Sequence, residues 1–166
     1  RRSYKGLKTL DNAVRPGLMI YGVNPVLQSQ INLEPVVSLK SRILLIRDLL
    51  AGASVSYGAQ HVLTHPTKVA TISIGYADGY SRSLSNIGAE VLVNGQRCPV
   101  LGIITMDMIM VDVTHASAQV DDEVVLIGKS GQQEISVQQL ANKSKTIPWE
   151  VISRIGPRVN RVYVEL

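Results

Sequence analysis

The sequence predicts a mainly β domain, an antiparallel barrel or sandwich, with one short helix and an N-terminal stretch that belongs to a preceding domain. Three observations predict it. Short apolar runs rich in Val and Ile recur at roughly 8–12-residue spacing, with turn residues between them. Two of these runs, "AEVLV" and "QRCPVLGI", are separated only by Asn94-Gly95, the dipeptide that most strongly favours a two-residue hairpin turn. A single segment, "SVQQLANKSK", reads as a helix: Ser136 can cap it and Gln139 stands three residues on, the spacing of a capping box.

In chain order, "RPGLMIYGVNP" is a short apolar run closed by Gly22 and Asn24-Pro25, which reads as a strand leaving into a turn. "VVSLKSRILLIRDL" begins with polar–apolar alternation and ends apolar, so it reads as one long strand, half buried and then fully buried. "KVATISIGY" is β-branched. The Asn94-Gly95 hairpin follows it, then "MIMVDV" and "EVVLIG" on either side of the polar "THASAQVDD". "WEVISRI" and "NRVYVEL" close the chain. The opening does not share this pattern, so residues 1–24 are assigned to the tail of a preceding domain and 25–166 to the β domain.

Composition narrows the function. With 166 residues, 45% hydrophobic and 18% charged, the chain can bury a substantial core. No apolar run approaches the roughly 18 residues needed to span a bilayer; "ILLIRDLLAG" is interrupted by Arg47 and Asp48. The first residue is not Met and the opening shows no leader pattern, so the piece is expected to come from a longer chain. A lone Cys98 fits a reducing compartment. Seventeen basic residues against 13 acidic ones give +4, but they are scattered and carry few aromatics between them. That disfavours nucleic-acid binding and favours a solvated surface.

Several residues are candidates for chemistry. Tyr57, in "SVSYGAQ", sets a phenol against a glycine, as a packed ring with a polar tip or as an acid or base. His61 and His65 are four apart, a metal-pair spacing on a helix, but Pro66 disfavours helix at His65 and nothing nearby completes a ligand set. No metal site is expected. Cys98 before Pro99 reads as a buried structural thiol. In "IGYADGY", Gly75 and Gly79 bracket Tyr76 and Asp78 where a strand ends, a sharp excursion able to hold a phenol and a carboxylate. An ordinary turn with Asp78 bonded to its own backbone is the competing reading. Asp107 lies inside the apolar run "ITMDMIM"; if buried it needs a partner, and a structural bond to a neighbouring loop would serve.

These stretches together resemble the C-terminal part of alanine racemases. "VRPGLMIYG", "VSLKSRI", "SVSYGAQ", "ISIGYADGYSRSLSN", "VLVNGQRCPVLGIITMDMIMVDVT", "DEVVLIG" and "ISRIGPRVNRVYV" occur in family order across residues 14–164. The resemblance implies a homodimeric, cytoplasmic bacterial isomerase that makes D-alanine for cell-wall peptidoglycan. Each subunit would join a (β/α)8 barrel, carrying pyridoxal 5'-phosphate on a lysine, to a mostly β C-terminal domain, with each active site shared between subunits. This sequence would hold the last barrel strand and the β domain; the lysine has no counterpart in it.

Residue by residue, the resemblance makes Tyr57 the catalytic tyrosine, one of two bases working on opposite faces of the substrate's α-carbon, with the lysine as the other. A free phenol titrates near ~10, so a base near neutrality needs cationic neighbours. Arg15 would face the cofactor's ring nitrogen; it cannot accept a proton, which keeps that nitrogen unprotonated. The amides of Gly17 and Leu18 would hold the phosphate, and Tyr76 would contact the cofactor region. Met106 and Asp107 would be the substrate-binding segment that meets the substrate carboxylate, with the Met106 backbone N–H as the donor. Arg82 would line the access corridor. Two positions depart from the family pattern: Ile103 stands where some members have an arginine, and Pro157 where some have a phosphate-contacting tyrosine. A serine racemase of the vancomycin-resistance type, fused behind a membrane segment, is one alternative; a non-catalytic β dimerisation module is another.

Overall fold

The computed structural model describes residues 13–25 and 31–164. The chain divides into two units, Arg1–Val37 and Ser38–Leu166. Residues 1–12 of the expected domain tail and part of the link after it lie outside the described residues.

In the first unit, the run expected as a strand is instead a 3-10 helix over Gly17–Tyr21. Its backbone explains the difference. Pro16 is in the α region, and Gly17 and Gly22 are left-handed, with φ 59 and 72, so the run is too short and too kinked for a ladder. Gly22 must be glycine for a second reason: a Cβ there would fall 1.9 Å from the Glu34 carbonyl oxygen. The chain doubles back at this contact, and Val36 N–H donates to the Tyr21 carbonyl at 3.4 Å.

The second unit contains β1 (Leu39–Leu49), β2 (Ser54–Val55), β3 (His61–Val62), β4 (Thr67–Ile72), β5 (Glu90–Val93), β6 (Gln96–Leu101), β7 (Ile109–Asp112), β8 (Glu123–Ser130), β9 (Gln133–Ile135), α1 (Val137–Lys143) and α2 (Pro148–Ser153). The expectation of a mainly antiparallel β domain holds. The main sheet runs β1-β4-β7-β6-β5-β8-β9, and β1 also pairs with β8. The first part of β1 aligns Leu39–Arg42 with β8; from Ile43 to Leu49 it aligns with β4, with a bulge between Ile43 and Leu45. β2 and β3 form a separate small hairpin.

Local signals account for the sharpest features. Asn94 and Gly95, at φ 48 and 78, form the type I′ turn their sequence demands. The Asn94 amide donates to the Ser117 carbonyl at 2.8 Å and to Asp122 at 2.9 Å. At α1 the capping box is present in both directions, Gln139 N–H to Ser136 Oγ and Ser136 N–H to Gln139 Oε1, each 3.1 Å. A second helix, α2, was not expected; Pro148 at its first turn is the signal for it.

The core is aliphatic. Val91, Leu92, Val93, Val124 and Leu126 are fully buried, as are Ile43, Ile72, Ile109 and Val111. Burying each such side chain contributes about 1.5–3 kcal/mol. Adjacent residues buried along β5 and β8 mean that both faces of these strands are covered. One difference from expectation lies in β1, whose second half is not buried: Leu44 and Leu45 are 48% and 40% exposed. The bulge breaks the alternation there, and a one-residue shift carries apolar side chains to the open face. Cys98 is buried, as expected, and loss of hydration pushes its thiol up to about 11. No described helix is long and apolar enough to cross a membrane.

Tyr80 is 1% exposed and lines a small cavity with Leu39, Leu84, Ile127, Leu140 and Val151. Burial drives its phenol upward, away from ionisation. Its hydroxyl meets no hydrogen-bond partner among the described residues, and an unmet buried hydroxyl costs about 1–3 kcal/mol. Tyr80→Phe is therefore expected to leave stability unchanged or raise it by about 1 kcal/mol, read from the denaturant midpoint. A loss of stability would show that the hydroxyl is satisfied.

Candidate active site

Tyr57 opens a 3-10 turn, Tyr57–Ala59, between β2 and β3. Ser56 before it has φ 66 and ψ −173, a conformation almost confined to glycine that costs of order 1–3 kcal/mol for other residues. What holds it is a hydrogen bond from Ser56 Oγ to the Ile103 carbonyl at 2.6 Å. Gly102 allows that approach, since a Cβ on it would lie 2.8 Å from the Val55 carbonyl and 2.9 Å from Ser56 Cβ. The turn leaves the Tyr57 ring 72% exposed. Within this chain the ring is therefore not packed.

The second loop follows β4. Tyr76–Asp78 is a 3-10 turn whose Asp78 Oδ2 accepts from Gly75 N–H at 3.0 Å, which is the local turn bond that competed with a functional reading. The loop also does more than turn. Tyr76 N–H donates to the Thr105 carbonyl and Ala77 N–H to the Met106 carbonyl, both at 3.0 Å. These bonds need Gly75: a Cβ there would sit 2.2 Å from the Met106 carbonyl oxygen and 2.4 Å from that of Thr105. The loop that carries Tyr76 is thus joined backbone to backbone with the loop that carries Met106 and Asp107. Arg82 begins the next 3-10 turn, Arg82–Leu84, and lines an open groove with Tyr76, Lys145 and Arg154.

The third loop joins β6 to β7. Thr105 closes it with three bonds to Met108: N–H to the carbonyl at 3.1 Å, Oγ1 to the carbonyl at 2.8 Å, and Met108 N–H to Oγ1 at 3.1 Å. Within that turn the Met106 N–H finds no acceptor among the described residues, so it is free to donate outward. Asp107 is not buried. Its partner is Arg158, from the segment after α2, whose Nη2 lies 2.6 Å from Asp107 Oδ1 and whose Nε lies 3.4 Å from Asp78 Oδ1. Both carboxylates hold the Arg158 guanidinium more firmly protonated than usual.

Tyr57, Tyr76, Arg82, Met106 and Asp107 therefore come from connected loops of the second unit. Arg15, Gly17 and Leu18 belong to the first unit. Gly17 and Leu18 open the 3-10 helix, where amides lack a helical acceptor, and the space where a Gly17 Cβ would stand is empty to 4 Å. Among the described residues no neighbour therefore blocks a group from approaching the Gly17 backbone. His61 and His65 join no metal-binding cluster among the described residues. Sequence reasoning missed Ser56 and Arg158. The strain at Ser56 leaves no trace in residue types. A partner for Asp107 from a neighbouring loop was readable, but not that Arg158 supplies it or that the same side chain reaches Asp78.

An antiparallel β domain with these three loops is the class formed by the C-terminal domains of alanine racemases, and residues 36–163 match the family model described as alanine racemase, C-terminal domain. The chain belongs to the alanine racemase family. It is 46% identical over 153 residues to the alanine racemase of Halothermothrix orenii, covering 90% of this chain and 40% of that one. The alanine racemase structure from Streptomyces coelicolor superposes with a TM-score of 0.85 at 35% identity, covering 92% of this chain and 41% of that one. The structure from Bartonella henselae, which has covalently bound pyridoxal phosphate, matches at 0.81 and 37% identity, covering 89% and 40%. The chain thus spans about two fifths of the length of the relatives it matches.

The Ser56 contact gives a stability prediction with a definite order. Ser56→Ala keeps the strained backbone and loses the bond to Ile103, so it should cost about 1 kcal/mol or more. Ser56→Gly loses the same bond but relieves the strain, so it should be nearly neutral. Chemical denaturation of both variants checks this; an alanine variant as stable as the glycine variant would refute the strain.

Proposed function

We propose that this chain is the C-terminal part of a pyridoxal-phosphate-dependent alanine racemase, which interconverts L- and D-alanine in the cytoplasm and supplies D-alanine for peptidoglycan. The observation that carries this reading is the Tyr57 phenol, set out into solvent on a strained, hydrogen-bonded turn, in a chain of the alanine racemase family.

Pyridoxal phosphate, when bound, withdraws electron density from the substrate's α-carbon and so acidifies its hydrogen. The Tyr57 oxygen takes or returns that proton on one face of the carbon, and a lysine in the rest of the protein does so on the other. Two opposed bases are needed because a single one returns the proton to the side it came from. The Met106 N–H donates to the substrate carboxylate, and its lack of an acceptor among the described residues supports that role. Arg15 would lie against the cofactor ring, keeping its nitrogen unprotonated, and the amides of Gly17 and Leu18 would hold its phosphate. Tyr76 and Arg82 line the approach. The lysine and much of the phosphate site lie outside this sequence, so the 166-residue chain alone is inactive. The family resemblance carries the homodimer with shared sites, and the exposed Leu44, Leu45 and Leu50 along and just after β1 are compatible with a covered face there.

The full-length gene product, supplied with the cofactor, is expected to racemise alanine from either enantiomer. Serine is assayed beside it, because Ile103 and Pro157 alter the pocket wall; faster turnover of serine would reassign the substrate. At equilibrium a racemase cannot favour one enantiomer in kcat/KM, so the two bases are separated by exchange of the α-hydrogen in deuterated water. Tyr57→Phe should slow exchange from one enantiomer by about 10²–10⁴-fold and from the other far less. Equal, small losses from both would show that Tyr57 is not the second base.

A further inference from the structure

Asp78 and Asp107 are contributed by different loops, and the turns that carry them also carry Tyr76 and Met106. One side chain reaches both. Arg158 sits 2.6 Å from Asp107 and 3.4 Å from Asp78, and it comes from a stretch that is in neither helix nor strand. That stretch is itself pinned: the Arg161 guanidinium donates to the carbonyls of Ile155, Gly156 and Val159 at 2.9, 3.3 and 3.3 Å. Gly79 brings the same segment close, since a Cβ on it would lie 2.6 Å from the Arg154 carbonyl oxygen. The two carboxylates differ in setting. The Asp78 side chain is 14% exposed and already accepts from Gly75 N–H, whereas that of Asp107 is 46% exposed. Arg158 therefore spans from a fixed carboxylate to one whose side chain, among the described residues, it alone restrains.

We propose that Arg158 is a positioning residue for the substrate carboxylate: it fixes the Thr105–Met108 turn against the Tyr76 turn, so that the Met106 N–H points at one place, and it neutralises Asp107 beside that place. This inference rests on the racemase reading. Its physical basis has two parts. A backbone donor is effective only within about 2.7–3.2 Å of its acceptor and near linearity, so a turn free to rock dilutes it. A bare Asp107 carboxylate one residue from the donor would repel an incoming carboxylate. Isolated exposed ion pairs contribute little to stability. Binding, not folding, is thus where the loss of Arg158 should register. An interaction made equally with bound substrate and with the reacting state shows in KM and leaves kcat alone.

The test uses the full-length enzyme with cofactor. Arg158→Gln should raise KM for alanine by about tenfold or more while kcat stays within about threefold. Arg158→Lys, which keeps the charge but reaches one carboxylate, should recover part of that loss; a lysine variant no better than glutamine overturns the proposal. In a double-mutant cycle, Asp107→Asn with Arg158→Gln should be no worse in KM than Arg158→Gln alone, because the charge to be neutralised is gone. Penalties that multiply overturn it. If Arg158→Gln does not fold, Arg158→Lys against wild type carries the test: KM should rise at unchanged kcat, and an unaltered KM overturns the proposal. Wild-type enzyme that racemises neither alanine nor serine would instead overturn the racemase reading, while active wild type with an unchanged KM in Arg158→Gln overturns only the role of Arg158.

Discussion

β1 changes partners partway along its length, and the rest of the β domain depends on that change. From Leu39 to Arg42 it lies against β8, and from Ile43 onward against β4. Because β4, β7, β6, β5 and β8 pair in succession, one strand serves both ends of the series and the ladder returns on itself. The bulge at Leu44 makes this geometrically possible, since an extra residue bends a strand and increases its twist. Ile43, at the turning point, is fully buried. Within that series β4 and β6 flank β7, each antiparallel to it, so the loops after β4 and after β6 leave the same end of the sheet, and the candidate site is built where they meet.

That site is formed by backbone before side chains. Gly75 lets two main chains approach so closely that any Cβ would collide with a carbonyl, and the amides of Tyr76 and Ala77 close the joint. Ser56 reaches across from the β2–β3 turn to the carbonyl of Ile103. Met106 thus lies between two neighbours that hold its loop from either side, while its own N–H has no acceptor among the described residues. Strain at one residue and an unused donor at another are both unfavourable in isolation. They persist because the surrounding bonds overdetermine the loops, which is how a rigid scaffold presents a reactive surface.

Features with short-range causes were legible in the sequence. Asn94-Gly95 dictates its own turn because both residues accept positive φ, and Ser136 with Gln139 dictates a helix start because the two bonds close within four residues. The motifs around Tyr57, Tyr76 and Met106 pointed to the family. What escaped was set at longer range or carried no distinctive signal. "RPGLMIYG" is apolar enough for strand or helix, and periodicity cannot separate them over so few residues. The exposed half of β1 was expected to be buried because a bulge is invisible in composition. Arg158 stands 51 residues from Asp107, and nothing in the residue types pairs them.

The partner change in β1 also has a consequence for whether foreign strands can add to this domain. Beyond Ile43 the strand is laddered on one side only, to β4, in the pairings of the described residues. Its other side is an open rim of amides and carbonyls, with Leu44 and Leu45 exposed along it, and such rims recruit stray strands from other chains. Here the same bulge interrupts the rim's regular spacing, and Arg47 and Asp48 put charge on it. The irregularity that lets the ladder return therefore also discourages edge-to-edge aggregation into an indefinite stack.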